Sequence, residues 1–586
     1  MVERLKETSL AARATAPASV VDRPVNKVPY LPGLDGLRAI AVMAVLAYHA
    51  EVSGWQGGFL GVEVFFAISG YLITSILMAQ WRNSGSIDFK TFYRRRALRL
   101  LPALIAVLVG TTLISVIFLP DEVATLRGDV VSALTYVTNW FFIVGQKSYF
   151  ESAGRPSLVQ HLWSLAVEEQ FYLVWPVLFA LGIRRLGERR LLAAVLAGAF
   201  ASTVLMFVLY RPGTDPTRVY YGTDTRAAAL LIGAALAMVW EPFRLRRKVG
   251  FGAPVVLDAI GVASLVALVA LLYGTDQFAD ALYRGGFLRV SVVTAVLIAV
   301  TVHPAAHLGR TLGVRPLRWL GLRSYGIYLY HWPIFQLTRP GLDTPLTGTP
   351  LLALRLGLTL ALATLSYRYL ETPIRSGAFS RAVARWRHAA PSRQWLLGLR
   401  WGVEGAAAIT ALSILVMVVV HAQTPPTPAY LLAGSGGTEI ADPGFGTVPV
   451  PTAALAAPPP GVGVITTVAS TIPRAGDGAT SSVVPSDAPS SVAPVPAAPL
   501  FIVPPATGVP VTPAGPVLEI SALGDSVMLG AGAALRGALQ GETHIDARVN
   551  RQVSEGLDIL RSWRDQGAFG DVVVIDLGNN GTFNEQ

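Results

Sequence analysis

Residues 30–50 read YLPGLDGLRAIAVMAVLAYHA, and the solvent in which the chain folds can be argued from this stretch. From Leu37 onward it is apolar apart from Arg38 and His49, eleven positions apart. On a helix that separation is almost three turns, so both side chains lie on one face about 16 Å apart. In lipid an ionisable side chain is unfavourable enough to be a functional candidate by default. The bland account is that Arg38 anchors the helix by reaching for the interface and His49 hydrogen-bonds a neighbouring helix. Against that stands the chemistry of imidazole, which exchanges its proton near neutrality.

The rest of the composition agrees with a lipid solvent. Of 586 residues, 52% are hydrophobic and 14% charged, where a soluble domain carries roughly a quarter charged; mean hydropathy is +0.50. The length exceeds what one core usually supports. A net charge of +10 does not point to nucleic acid, because the bases fall in short links between apolar runs and not on one soluble face. With no cysteine there is no disulfide, thiolate metal site or Cys nucleophile, and no metal site is expected.

Runs long enough to cross about 30 Å of hydrocarbon begin near Leu37, Phe59, Leu98, Leu162, Leu191, Ala227, Pro254, Phe287, Ser324, Leu351 and Trp401. Every second link is basic, for example Arg94, Arg95, Arg96 and Arg99, then Arg184, Arg185, Arg189 and Arg190. That asymmetry predicts a cytoplasmic N-terminus and an extracytoplasmic C-terminal part in a bacterial cytoplasmic membrane. Residues 1–35 read as a cytoplasmic lead-in without a signal peptide, 36–375 as the membrane domain, 376–400 as a basic cytoplasmic link and 401–421 as an eleventh helix. From 422 to 516 the chain is rich in Pro, Ala, Ser, Thr, Gly and Val with almost no charge, a composition that predicts a disordered tether. Residues 517–586 alternate strand and helix patterns: strands over 517–523, 544–549 and 571–577, helices over 527–539 and 554–565, indicating a parallel α/β sheet.

Besides the Arg38–His49 face, two polar stripes stand out within the spans. His161, Ser164, Glu168 and Tyr172 recur at intervals of three or four and share one face; Glu169 points elsewhere. A carboxylate there suits orienting His49 or accepting from a sugar hydroxyl, and equally an interhelical lock. Ser324, Tyr328 and His331 make a further stripe, which belt residues at an interface would also produce. Glu63 and Ser69 cannot share a face, and Glu63 is a weaker candidate. The run Arg94–Arg96 with Arg99 is first of all an orientation signal, yet Arg96 and Arg99 face one way and suit a bidentate grip on phosphates.

Taken together, LPGLDGLRAIAVMAVLAYHA, GVEVFFAISGYLI, FYRRRALRLLPAL, HLWSLAVEEQFYLVWPVLF, SYGIYLYHWPIF and YRYLETP resemble, in order, the blocks of the membrane acyltransferase-3 family of surface-glycan O-acyltransferases. The resemblance covers about residues 30–375. It implies an α-helical polytopic bundle of ten core spans plus an eleventh linking span, with the Arg-x10-His signature filled by Arg38 and His49. It also implies acyl-CoA as co-substrate, acetyl being the family's usual group, with no bound cofactor, and a cell-surface glycan or lipid-linked saccharide as acceptor. On this reading His49, Arg38 and Glu168 are catalytic, Arg96, Arg99 and Arg95 hold the donor, and Tyr172, Ser164, Tyr328, His331 and Glu63 serve acceptor or relay.

The tail resembles the SGNH hydrolase-like domain often fused to this family, a flavodoxin-like three-layer fold. ALGDSVMLGAG gives Asp525 and the nucleophile Ser526, RVNRQV places Asn550 where the family usually has glycine, and DLGNNG gives Asn580. The fourth block, an Asp and His that would activate Ser526, is not among the 586 residues, so the tail is expected to be partial and by itself non-catalytic. A rival of another class is a transporter or flippase of a lipid-linked sugar or acyl donor, since midplane polar stripes fit it too. No inverted repeat or pair of broken helices supports that rival.

Overall fold

The computed structural model describes residues 28–149, 155–212, 214–246 and 250–423, and, of the C-terminal part, 518–525, 527–528, 531, 535, 541–548, 551 and 553–577. The expected tether beyond Gln423, most of the N-terminal lead-in, and Ser526, Asn550 and Asn580 lie outside the described residues. The membrane part is helical. Its elements are α1 (Pro32–His49), α2 (Gly61–Ser84), α3 (Phe89–Phe118), α4 (Val123–Leu134), α5 (Thr138–Val144), α6 (Leu162–Leu209) and α7 (Thr223–Val239). They continue with α8 (Ala253–Gly274), α9 (Phe287–Val302), α10 (Arg315–Gln336), α11 (Gly348–Leu365), α12 (Ala378–Arg387) and α13 (Pro391–His421), joined by shorter turns.

Eight helical segments among the described residues are long and apolar enough to cross a membrane, so this is a multi-pass membrane protein. One of them, α6, has 48 residues, about 72 Å at 1.5 Å per residue and more than two bilayer cores. It breaks at Gly187, whose φ of 71° and ψ of 172° are non-helical and readily adopted only without a Cβ. The break falls between the two spans expected from Leu162 and Leu191.

Two helices are too polar to belong to that set, α1 with Asp35, Arg38 and His49, and α10 with its arginines, tyrosines and His331. They face protein instead of lipid, and Leu34, Leu37, Val42, Val45 and Leu46 of α1 are at most 2% exposed. The two pack against each other. A Cβ on Gly321 would stand 1.8 Å from the Asp35 carbonyl oxygen, so glycine sets the approach of α10 to α1. Gly70 and Gly233 do the same between α2 and α7, where a Cβ would meet the Leu230 and Ala67 carbonyls at 1.9 and 2.1 Å. Small residues at helix crossings are how membrane bundles pack backbones closely.

Several helices begin earlier than hydropathy alone predicts, and their caps say why. The Asp88 carboxylate accepts from the Thr91 N–H at 3.0 Å, starting α3 at Phe89 and not at Leu98. Pro391 in the first turn starts α13 ten residues before Trp401, where a missing N–H does no harm. The link between the third and fourth spans holds the helices α4 and α5.

The C-terminal part has β1 (Leu518–Gly524), β2 (Gly541–Ala547), α14 (Val553–Gln566) and β3 (Val572–Asp576). The strands form a parallel sheet in the order β2-β1-β3, as expected, while most of the expected helix over 527–539 lies outside the described residues. The second strand starts at Gly541, three residues before His544, because it pairs with β1 from Leu518 onward. Asp525 at the end of β1 is fully buried; its backbone N–H donates to the Asp576 carbonyl and its carboxylate accepts from the Val527 N–H at 2.9 Å.

Candidate active site

Two polar clusters face each other inside the bundle, and the stripe on α6 runs through both. The first contains the imidazoles. His49, in the last turn of α1, places Nδ1 3.0 Å from Nε2 of His331 and Nε2 3.1 Å from the Tyr149 hydroxyl. The two rings stack with centroids 5.1 Å apart, and Trp332 closes edge-on over His49 at 4.8 Å. Trp332 is itself tied down, its indole N–H donating to the Ser157 carbonyl.

Elementary valence fixes the protons. Nδ1 of His331 lies 2.6 Å from the Tyr328 carbonyl oxygen, which can only accept, so in the neutral ring Nδ1 bears the hydrogen and Nε2 the lone pair. His331 Nε2 therefore accepts from Nδ1–H of His49, which leaves the lone pair of His49 on Nε2, facing Tyr149. A backbone carbonyl two steps away thus sets the tautomer of His49, the part a carboxylate plays in other relays. His161 completes the cluster with its ring 5.6 Å from His331. Its Nε2–H donates to the Leu329 carbonyl at 3.1 Å, and its Nδ1 is buried without a partner.

Below the imidazoles, Ser164 and Tyr328 share a hydroxyl–hydroxyl hydrogen bond of 2.6 Å, and both reach the His161 carbonyl. A cavity of about 50 Å³ leads from them to the second cluster; Arg38, Phe65, Glu168 and Ser324 are among its lining residues. There the Ser69 hydroxyl donates to Glu168 at 2.8 Å and the Tyr172 hydroxyl donates to Ser69 at 2.7 Å. The guanidinium of Arg96 lies over the Tyr172 ring at 4.8 Å. Arg99 stands within electrostatic range of Arg38, Tyr172, Arg375 and Asp35, and Arg96 within range of Glu168 and Glu169. Four arginines, Arg38, Arg96, Arg99 and Arg375, and three carboxylates, Asp35, Glu168 and Glu169, are thus gathered at the end of α1 opposite His49.

Most of the residues singled out in the sequence converge on these clusters, with three differences. Glu168, expected to orient His49, is bonded to Ser69, and the group that holds His49 is His331. Arg95 is exposed on the surface of α3, unlike Arg96 and Arg99. Glu63 sits elsewhere, in an ion pair of 2.8 Å with Arg226 whose side chains are 2% and 0% exposed; Ser291 donates to it at 2.8 Å and Phe287 lies 3.9 Å from the guanidinium. Sequence reasoning missed Tyr149, which lies in a link without periodicity, and gave no role to Ser69, whose partner is remote in sequence.

An apolar multi-span bundle with a buried imidazole relay near one end of α1, an arginine cluster near the other and a small cavity lined by Arg38, Glu168, Ser164 and Tyr328 is the architecture of a membrane acyltransferase. The acyltransferase domain family matches residues 31–368, and the chain belongs to it; it is an O-acyltransferase. It is similar to YrhL of Bacillus subtilis, 38% identical over 570 residues that cover 94% of this chain and 85% of that one. It is also similar to the peptidoglycan O-acetyltransferase OatA of Listeria monocytogenes, 36% identical over 565 residues, covering 95% and 85%. The O-acetyltransferase OatA of Staphylococcus aureus is 38% identical over 350 residues, 60% of this chain and 58% of that protein. No solved structure matches.

Proposed function

We propose that this O-acyltransferase takes an acetyl group from acetyl-CoA on the cytoplasmic side and delivers it through the membrane to a hydroxyl of peptidoglycan. The observation that carries the reading is the relay Tyr328 carbonyl–His331–His49, which leaves a lone pair on Nε2 of His49, with Arg38, Arg96 and Arg99 gathered toward the other end of α1. The acceptor is taken from OatA of Listeria, whose name specifies peptidoglycan. The donor is argued from charge: Arg96 and Arg99 suit the phosphates of a nucleotide thioester, with Arg38 lining the cavity.

In the reaction, Nε2 of His49 accepts the proton of the attacking hydroxyl, whose position the Tyr149 oxygen marks. The hydroxyl oxygen bonds to the thioester carbonyl carbon, and the C–S bond then breaks. The thiolate leaves with the proton that His49 had taken, and His331 bears part of the imidazolium charge meanwhile. General base help of this kind contributes typically 10²–10⁴-fold. His49 as a transient acyl carrier uses the same lone pair. Glu168, held by Ser69 and Tyr172, places negative charge among the arginines and keeps them gathered when no donor is bound.

Eleven crossings, counting α6 twice and including α1 and α10, would leave the termini on opposite sides, and the basic links at every second turn support a cytoplasmic N-terminus and an extracytoplasmic C-terminal part, where an SGNH-like domain would meet the glycan. Acetyl ester content of cell-wall glycan, measured by mass spectrometry in cells expressing His49→Ala, is expected to fall to the level of cells lacking the protein; unchanged ester content overturns the role of His49. A flippase is separated by free CoA, which an acyltransferase releases in proportion to acceptor.

A further inference from the structure

We infer that the Ser324 hydroxyl is the hydrogen-bond partner of an amide group in the donor's pantetheine arm, and so a specificity residue for amide-bearing thioesters. The inference rests on the acyl-CoA reading above. Ser324 is completely buried on α10, and its Oγ has no hydrogen-bond partner. A serine inside a helix ordinarily bonds back to a carbonyl one turn earlier; this one does not, and it lines the cavity that runs from Arg38 and Glu168 to Ser164 and Tyr328. A buried hydroxyl is disfavoured unless something completes it.

The surroundings say what that something is. The cavity, about 50 Å³, has room for only about four waters at roughly 10–15 Å³ each, so it suits a thin chain better than a headgroup. Its walls near Ser324 are Val62, Phe65, Phe66 and Tyr325, which give methylenes contact and an amide no partner. The other hydroxyls on the path, Ser164 and Tyr328, are already bonded to each other and to the His161 carbonyl. Arg38 and Glu168 at one end are charged. Ser324 is therefore the neutral, uncommitted group placed to pair an amide as the arm passes toward His49. Its three-residue and seven-residue spacing to Ile327 and His331 keeps it on the helix that carries the relay, so donor and base are registered on one rigid element.

The test uses the purified full-length protein in nanodiscs, with release of free thiol as the readout and three donors: acetyl-CoA, acetyl-dephospho-CoA and a simple alkyl thioacetate without amides. Ser324→Ala is expected to raise KM for both CoA thioesters about tenfold with kcat within twofold, and to leave kcat/KM for the amide-free thioester equal to wild type. Unchanged KM for acetyl-CoA in Ser324→Ala overturns the inference while leaving the donor reading intact. An equal loss on all three donors overturns it too, since the serine would then be structural. If the wild type releases no thiol from acetyl-CoA with acceptor present, the donor reading itself fails. Ser324→Leu, filling the neck, is expected to abolish turnover of all three donors.

Discussion

Nε2 of His331 accepts the Nδ1 hydrogen of His49 across 3.0 Å, and the arrangement is possible because His331 gives its own Nδ1 hydrogen to the Tyr328 carbonyl at 2.6 Å. The two imidazoles work as one proton-accepting unit in the proposed reaction. Replacing His331 by Leu removes the acceptor for Nδ1–H and lets the His49 ring choose the wrong tautomer, with an expected loss of about 10²–10⁴ in kcat. Gln at the same position can still accept with its amide oxygen and should retain more activity than Leu. Equal activity of the two variants in a thiol-release assay would remove the tautomer argument.

Arg96 and Arg99 are expected to act on donor binding more than on turnover. Arg96→Ala and Arg99→Ala should each raise KM for acetyl-CoA by about 10- to 100-fold, the size of a charge-assisted hydrogen bond. Arg95→Ala, altering an exposed side chain of the same run, should have the smallest effect of the three. The contrast is read from saturation curves in nanodiscs.

The pair Glu63–Arg226 is a matter of stability. Both side chains are buried, so Glu63→Ala strands a guanidinium among Phe287, Tyr220 and Trp163 and should destabilise by roughly 3–5 kcal/mol. The double variant Glu63→Met with Arg226→Met removes both charges and should regain most of that loss. Thermal unfolding of the detergent-purified protein gives the comparison.

Gly321 is expected to control activity from a distance. A methyl group there would overlap the Asp35 carbonyl and push α10 from α1, and the same two helices carry His331 and His49. Gly321→Ala should lower kcat by about tenfold or more, since a misplacement of about 1 Å can lose a hundredfold, while leaving donor KM less affected. A wild-type kcat would show that the helices can separate without loss of the relay.

The loop after α10 gives a pH dependence. Asp343 is partly buried, which disfavours its charge, but hydrogen bonds from Arg155 and Arg339 outweigh this and hold its carboxyl well below the usual carboxylate range. A depressed folded-state value means stability that is fully present above the ordinary value, about 4, and is lost as pH falls toward the folded one. Amide exchange around residues 339–344 should accelerate below about pH 4 in the wild type. Asp343→Asn should exchange fast already at pH 7 and lose the acid dependence.

The sequence by itself determined that the chain lives in lipid, since no other solvent tolerates such long apolar runs separated by basic links, and it marked the residues at which that solvent is violated. Arg38, His49, Glu168, Tyr172, Tyr328 and His331 were legible because a charge or imidazole in an apolar helix needs a reason, and helical periodicity tells which of them share a face. It also indicated that the strands of the tail lie parallel, because alternating β and α patterns specify a parallel sheet, whereas the order β2-β1-β3 came from the structure. Only the tertiary structure decided who pairs with whom. Periodicity acts within one helix, whereas the contact between His49 and His331 joins positions 282 residues apart and depends on how closely α1 and α10 approach at Gly321. The same limit explains why Glu168 looked like the partner of His49 and proved to be bonded to Ser69, and why Tyr149, in a segment with no period, gave no signal. A face can be read from spacing, but the face opposite it is set by packing.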